Sequence, residues 1–414
     1  MDVVTQALLG ACAAQAIAGR SLPRSAWLVG LVAGWLPDAD IVIRPADDPL
    51  GGLLWHRHFT HAMLVAPPMA LALTGLFALV PSLRRAWRAV FLACLAAILT
   101  HAPLDAATSY GTLIWWPFSY ERVSWDVLPI IDPLVTFPLI ALLAWSVLRG
   151  RRSARAASSE GEMPATPATP TTSRTVGVRT IAFVGVLVPV AYAGLGAVQR
   201  SAALDLQARL AEARGHEVLP GRVRVMPQPG SQLLWRSIYE YVEPHTDRVR
   251  IQTDFLRLPH WPYTAFAEDD RGGPQLLAGR AFDRVERCDI LERPDVDLAS
   301  DDRIGITFER FAWFADGFVA VTSERPLVVG DIRYGIGPDS EPLWGLVVPT
   351  FSGAPPNTLR MAGFRDSSRV QELWNALTGR DERMVPIEEA IRAAAQDADQ
   401  AADQAADQAA SGGP

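Results

Sequence analysis

The chain has 414 residues, more than one hydrophobic core ordinarily organises, because single cores stop growing near ~250–300 residues. It is 49% hydrophobic and only 20% charged, with a mean hydropathy of +0.13, which is apolar for a soluble protein of ordinary composition. A net charge of −7 and the lack of any basic stripe interleaved with aromatics argue against a nucleic-acid partner.

The average hides an asymmetry: charged residues gather after position 200, and the first 200 residues are apolar runs with short polar punctuation. A helix needs roughly 20 apolar residues to cross a bilayer. Residues 26–43, 62–80, 87–104, 130–148 and 177–198 are five candidate spans, the last the cleanest, with no charge between Ile181 and Val198. Residues 3–18 are shorter and read as a span, a re-entrant piece or an interfacial helix. They do not read as a cleaved leader, because Asp2 stands where a basic region belongs. Residues 153–175, rich in Ser, Ala, Thr and Pro, have the composition of a flexible linker.

From about 202 to 379 the chain is soluble in character. Residues 223–225, 249–255, 303–311, 317–322 and 327–332 are expected as strands from their branched and aromatic content, with helices at 202–213 and 367–377. The tail from Ala393 repeats AADQ and is expected to be disordered, with no face to bury. The expected fold class is therefore α+β. An all-α membrane bundle of about five to six hydrophobic helices fills residues 1–150, with a linker at 151–176 and a further span at 177–199. A small β-rich soluble domain follows at 200–380, then a low-complexity tail at 381–414. Cys12, Cys94 and Cys288 form no CxxC pair and read as packing residues.

Arginine orients the spans, since the chain has no lysine and basic residues accumulate on the cytoplasmic side. Arg20 and Arg24, then Arg84, Arg85 and Arg88, then Arg149, Arg151, Arg152 and Arg155, then Arg174 and Arg179 all fall on one side if the first helix crosses. The opposite loops carry Arg44, Arg57 and Arg122 alone. The amino terminus, the 44–61 and 105–129 loops and everything after Arg200 are then expected outside, which is the periplasm in a bacterium with two membranes.

The chemistry lies where polar residues interrupt the apolar half. Asp2, Thr5 and Gln6 form one group, Asp38 and Asp40 a second, and His56, Arg57, His58, Thr60 and His61 a third. His101 and Asp105, followed by Thr108, Gly111 and Thr112, form the fourth. Under the topology above, each lies at or next to the outer end of a span. Four of the seven histidines are here. Ionisable groups at membrane depth cost roughly 2.5–3.5 kcal/mol each on an insertion scale, so such a set implies a role. Imidazole with carboxylate is the ligand set of zinc and similar divalent ions. His101 and Asp105 are four apart, on one helix face. Singly each signal is weak, because paired aspartates at a helix end are usually caps. The convergence of separate segments on one side carries the reading. Arg57 is either a fork for phosphate or carboxylate, or a partner for Asp40 or Asp105. Tyr110, Trp115, Trp116, Phe118 and Trp125 read as an interfacial belt, and Asp132 as a helix start.

In order, Asp2-x-x-Thr5-Gln6, LPDAD at 36–40, HRHFTH at 56–61, HAPLDAATSYGT at 101–112 and IIDPL at 130–134 resemble the bacterial inner-membrane, metal-dependent hydrolase-like family of the YdjM/YbcI type. The late segment GDIRYGI at 330–336 is similar to the soluble tail of longer members. Gln6 stands where many members carry His. The motif set is also loosely similar to zinc-dependent phospholipase C, by analogy only. The resemblance implies metal-dependent hydrolysis at the membrane. Zinc, or alternatively manganese, would be held by Asp38, His56, His61, His101 and Asp105, with Asp40 as base or further ligand and Arg57 stabilising developing negative charge. Membrane lipids are the expected surroundings, and a lipid or lipid-linked phosphoester the expected substrate. No protein partner can be named. The alternatives are a non-catalytic membrane protein whose polar clusters lock the bundle and whose soluble domain binds an envelope partner, and an ion or proton transporter using the same carboxylates as relays.

Overall fold

The computed structural model describes residues 1–22, 25–159, 171–244, 246–258, 273–286, 289, 303–335, 337, 340–348, 358–361 and 367–411. Cys288, residue 336 of the GDIRYGI segment and residues 160–170 of the expected linker lie outside them. The chain divides into two compact units.

The first unit is helical. Helix α1 (Val3–Ala18) starts where the Asp2 carboxylate accepts the Val4 and Thr5 N–H groups, and α2 (Ala26–Trp35) runs straight into a 3-10 segment, Leu36–Val42. The two helices touch backbone to backbone. A Cβ at Gly30 would lie 2.4 Å from Gly10 O and 2.4 Å from Ala14 Cβ, so only glycine fits this crossing. After α3 (Gly51–Leu54), the 3-10 turn Phe59–His61 leads into α4 (Ala66–Phe77) across an 85° bend. Helix α5 (Pro81–Arg85) precedes α6 (Trp87–Ala106), which packs on α1, α2 and α4. Helices α7 (Pro133–Ser159) and α8 (Thr171–Ala213) follow.

Among the described residues, three segments are long and apolar enough to cross a membrane: Trp87–Ala106, Pro133–Arg152 and Gly177–Ala213. A fourth is gained if the bent pair counts as one span. The expected spans at 26–43 and 62–80 are thus shorter helices. Pro37 and the carboxylates of Asp38 and Asp40 end the first in a 3-10 segment, and α4 begins only at Ala66, with Pro67 in its first turn. The core is small-residue packing, with Ala14, Ala33, Ala70, Ala93, Cys94 and Ala97 all fully buried. Cys12 and Cys94 are buried thiols, as packing residues should be.

The second unit is β-rich. One antiparallel sheet has the order β1-β2-β3-β4-β9, formed by β1 (Glu217–Pro227), β2 (Leu234–Val242), β3 (Val249–Arg257), β4 (Gln275–Asp283) and β9 (Val385–Pro386). The other has the order β5-β6-β7-β8, from Val319–Glu324, Leu327–Asp331, Trp344–Val347 and Thr358–Met361. Leu206 and Leu210, on the last turns of α8, pack on Trp235, Leu256 and Leu276 of the first sheet.

Two expectations change here. Residues 303–311, expected as a strand, belong to helix α9 (Arg303–Phe314): Phe308, Phe311 and Phe314 are buried while Ile306 and Trp313 are exposed, a helical period rather than alternation. The division between the two units, at Ala197 and Val198, lies within two residues of the boundary expected at 199–200, inside the continuous helix α8. Helix α10 (Ser367–Thr378) lies where expected, but the AADQ tail is helix α11 (Ile387–Ser411), with Ile391, Ala394, Ala395 and Ala398 half-buried at a helical spacing. The alanines supply the face that composition alone did not suggest. Asp331 and Arg333 of the GDIRYGI segment form a buried two-pronged ion pair, at 2.9 and 2.8 Å.

Candidate metal centre

Three segments bring four ligand-type side chains together. Asp38 comes from the 3-10 segment after α2, His61 from the turn before α4, and His101 and Asp105 from successive turns of α6. One ligand atom from each lies within 4.8 Å of all the others. All four are buried, with Asp105 wholly inaccessible.

The imidazoles are fixed by their far nitrogens. His101 Nδ1 lies 2.7 Å from Gly34 O, a bond only an N–H can make, so in the neutral ring its Nε2 carries a lone pair. His61 Nδ1 lies 3.0 Å from Thr60 Oγ1, whose own proton goes to Asp40 Oδ2 at 2.8 Å. The hydroxyl therefore accepts the Nδ1 proton, and His61 Nε2 is left bare as well. The two Nε2 atoms are 3.0 Å apart. Asp105 Oδ2 is 3.0 Å from His61 Nε2 and 3.4 Å from His101 Nε2, and Asp38 Oδ1 is 3.6 and 3.5 Å from them.

Four acceptor atoms thus face one another in a buried volume, and Asp38 Oδ2 and Asp105 Oδ2 have no hydrogen-bond donor. Such a group repels itself unless positive charge, a metal cation or a proton on one imidazole, sits among it. Zinc–ligand bonds of about 2.0–2.1 Å imply a tetrahedral edge of roughly 3.3 Å, and the distances from the two imidazoles bracket that value. The donor set fits a divalent metal.

The surroundings hold the ligands. Asp40 points away from the group: its oxygens accept from Arg57 N (2.9 Å) and Thr60 Oγ1 (2.8 Å), and meet His56 Nδ1 at 2.8 Å and His61 Nδ1 at 3.2 Å. Asp105 Oδ1 accepts from Gln6 Nε2 at 2.8 Å and from the Met1 amino group, and pairs with Arg57 Nη2 at 3.1 Å. Arg57 also donates to Thr108 Oγ1 at 2.8 Å. Its backbone φ of +58° turns the HRHFTH segment so that His56 and His61 both face Asp40. The loop after α6 straps this segment, since Arg122 donates to the carbonyls of His56 and Gly111 at 3.0 Å each. Gly111 has φ +88°, and a Cβ there would meet Arg122 Cβ at 2.9 Å. Asp132 caps α7 through Leu134 N (2.9 Å) and accepts from Tyr192 (2.7 Å), away from the centre.

Of the seven residues named from sequence, the structure gathers Asp38, His61, His101 and Asp105 into one group. His56 and Asp40 lie beside it as a bonded pair, and Arg57 is the partner of Asp105. Sequence reading missed the parts played by Gly34 O, Thr60 and Arg122. Thr60 was visible inside HRHFTH, but a carbonyl such as that of Gly34 leaves no signal in side-chain identity.

The profile of the YdjM inner membrane protein family matches residues 1–200. The inner membrane protein YbcI of Escherichia coli (strain K12) is 29% identical over 138 residues, which are 31% of this chain and 75% of that protein. No solved structure matches. The resemblance read from the order of the five motifs is borne out over this part of the chain, and the apolar helices agree with a membrane location.

Proposed function

We propose, from the YdjM-type inner-membrane character of residues 1–200 and the ligand group within them, that this protein is a membrane-bound, metal-dependent hydrolase. It acts on a phosphoester of a lipid or lipid-linked molecule at the outer face of the inner membrane. One observation carries the reading: two imidazoles whose Nδ1 protons are committed elsewhere turn bare Nε2 atoms, 3.0 Å apart, toward two buried carboxylates. Hydrogen bonds that fix the tautomer and aim of metal-binding histidines are the usual support of such sites.

Asp38, His61, His101 and Asp105 would hold a divalent ion, zinc or manganese. When bound, the ion would supply Lewis acidity, bringing a water toward pKa ~7 and polarising a phosphoryl oxygen. The chain's own residues do the rest. Asp40, rather than acting as a base, aims His61 and His56, because its oxygens are already taken up by those two rings, Thr60 and the Arg57 N–H. Arg57 holds Asp105 in place and adds positive charge beside the centre. His56 is partly exposed, is bonded to Asp40 through Nδ1 and has its ring 6.0 Å from that of His61. It is the group suited to carry protons between solvent and centre. Exposed Trp115, Phe118, Tyr120 and Trp125 in the following loop support a site at headgroup level.

Elemental analysis of the detergent-purified protein tests this. About one zinc or manganese per chain is expected, lost in His101→Ala and Asp105→Ala. A metal-free wild type, or variants that keep their metal, would refute it. The arginine pattern supports an outside location for the soluble domain, so reporter fusions at Ser158 and Ala393 should read inside and outside respectively.

A further inference from the structure

Between Asp40 and His56 the chain makes an excursion whose two ends meet. Asp40 Oδ1 lies 2.8 Å from His56 Nδ1, and Asp40 Oδ2 accepts the Arg57 N–H at 2.9 Å. Residues 46–50, in the middle of this loop, belong to the β-rich unit, although the residues on either side belong to the helical one. Within the β-rich unit Arg310 of α9 grips the loop, its Nη1 and Nη2 donating to Asp48 Oδ1 and Oδ2 at 3.0 and 2.7 Å. We infer that Arg310 is a positioning residue for the candidate metal centre. It acts through Asp48 and the 41–55 loop on the Asp40 carboxylate that aims His56 and His61.

Three observations carry this. The first is that the grip comes from a rigid element. Phe308, Phe311 and Phe314 are buried along α9, and Phe314 meets Trp344 of β7 edge-on at 6.3 Å. Arg310 therefore projects from a helix fixed to the second sheet, and a two-pronged pair holds direction as well as distance. The second is that the grip reaches the next element of the chain. Asp48 Oδ1 also accepts the Leu50 N–H at 3.1 Å, directly before α3, and Leu50 is fully buried. Helix α3 is a single turn and leads through Trp55 into His56. The third is that the outgoing limb has little else to hold it. Ile41, Val42 and residues 44–47 are exposed, so burial does not order them. Fixing the middle of such a loop lowers the entropy cost of holding its ends together. With Asp48 released, the bonds of Asp40 to His56 and Arg57 have to close a longer free loop.

The inference rests on the hydrolase reading only for its metal readout, so the experiment carries a second one. Asp48→Arg, Arg310→Asp and the double exchange are compared with wild type as full chains in detergent. Amide hydrogen exchange is followed over residues 56–61, and zinc affinity by competition with a chromophoric chelator. Each single reversal should speed exchange of 56–61 and weaken zinc binding by about two- to fivefold, the range for a partly exposed pair. The double exchange should restore both, because the charges meet again with their signs swapped. Unchanged exchange in β2 and β3 checks that the β-rich unit stays folded. Should Arg310→Asp disturb those strands, Asp48→Asn, which alters only the loop, decides in its place. Single variants that loosen 46–50 yet leave 56–61 and zinc affinity as in wild type overturn this inference alone, as does a folded double exchange no better than the singles. A wild type that holds no metal overturns the hydrolase reading, and the exchange of 56–61 then decides this inference by itself.

Discussion

Asp40→Asn tests the centre most sharply, because it alters no ligand yet should weaken metal binding. In the native protein the Asp40 carboxylate faces four donors at 2.8–3.2 Å: Arg57 N, Thr60 Oγ1, His56 Nδ1 and His61 Nδ1. An asparagine keeps the shape but offers one acceptor oxygen, and it turns an NH2 toward groups that donate to the carboxylate in the native protein. Each buried donor left unpaired costs about 1–3 kcal/mol, so loss of one or two should destabilise the membrane unit by about 2–4 kcal/mol. Loss of a residue that orients a metal-bound histidine typically costs 10–100-fold in affinity, or about 1.4–2.7 kcal/mol. Zinc affinity is read by competition with a chromophoric chelator in detergent, and stability by thermal unfolding of the metal-free protein. His56→Gln, which leaves Thr60 and His61 bonded to Asp40, should change zinc affinity by less than tenfold. If Asp40→Asn binds zinc as tightly as wild type, Asp40 does not aim His61 and the tautomer argument fails.

Gly30→Ala should destabilise the membrane unit by about 1–3 kcal/mol or more, read by unfolding in detergent, because its Cβ would lie 2.4 Å from a backbone oxygen that cannot move aside. In the β-rich unit, Arg214→Met removes a two-pronged pair with the buried Asp254, at 2.6 and 3.0 Å, and should cost about 3 kcal/mol in denaturant unfolding of the full chain. Burial, reinforced by the neighbouring Arg214 guanidinium, lowers the His216 pKa to about 4 from its ordinary 6.5. Between those values the unfolded chain binds a proton that the folded chain does not. The His216 contribution to stability is therefore complete above pH ~6.5 and falls away as the pH drops toward 4. Ring titration by NMR near pH 6.5 would contradict this.

Much of the site was legible because its chemistry is costly. Carboxylates and imidazoles do not persist in apolar segments without a partner, so their clustering in LPDAD, HRHFTH and HAPLD pointed to a shared centre. Division of labour was not legible. Asp38 and Asp40 are two residues apart in one 3-10 segment, yet one faces the ligand group and the other the HRHFTH segment. His56 and His61 are equally histidine, and only the φ of +58° at Arg57 and the strap from Arg122 decide which ring faces the centre. In the β-rich half, strand β2 escaped sequence reading because Arg236 and Glu240 interrupt its apolar pattern. Both are buried, Arg236 donating to the carbonyls of Ile332 and Gly337, and Glu240 accepting from Arg222 and Arg284.

The sequence by itself determined the division into an apolar helical half and a β-rich half, since hydropathy and strand composition are local properties of the chain. It also determined which chemical groups the centre could use. Tertiary structure decided which apolar runs form helices long enough to cross a membrane and which of the polar residues meet. Those outcomes depend on carbonyls, backbone dihedral angles and glycine contacts between distant segments, which side-chain identity does not encode.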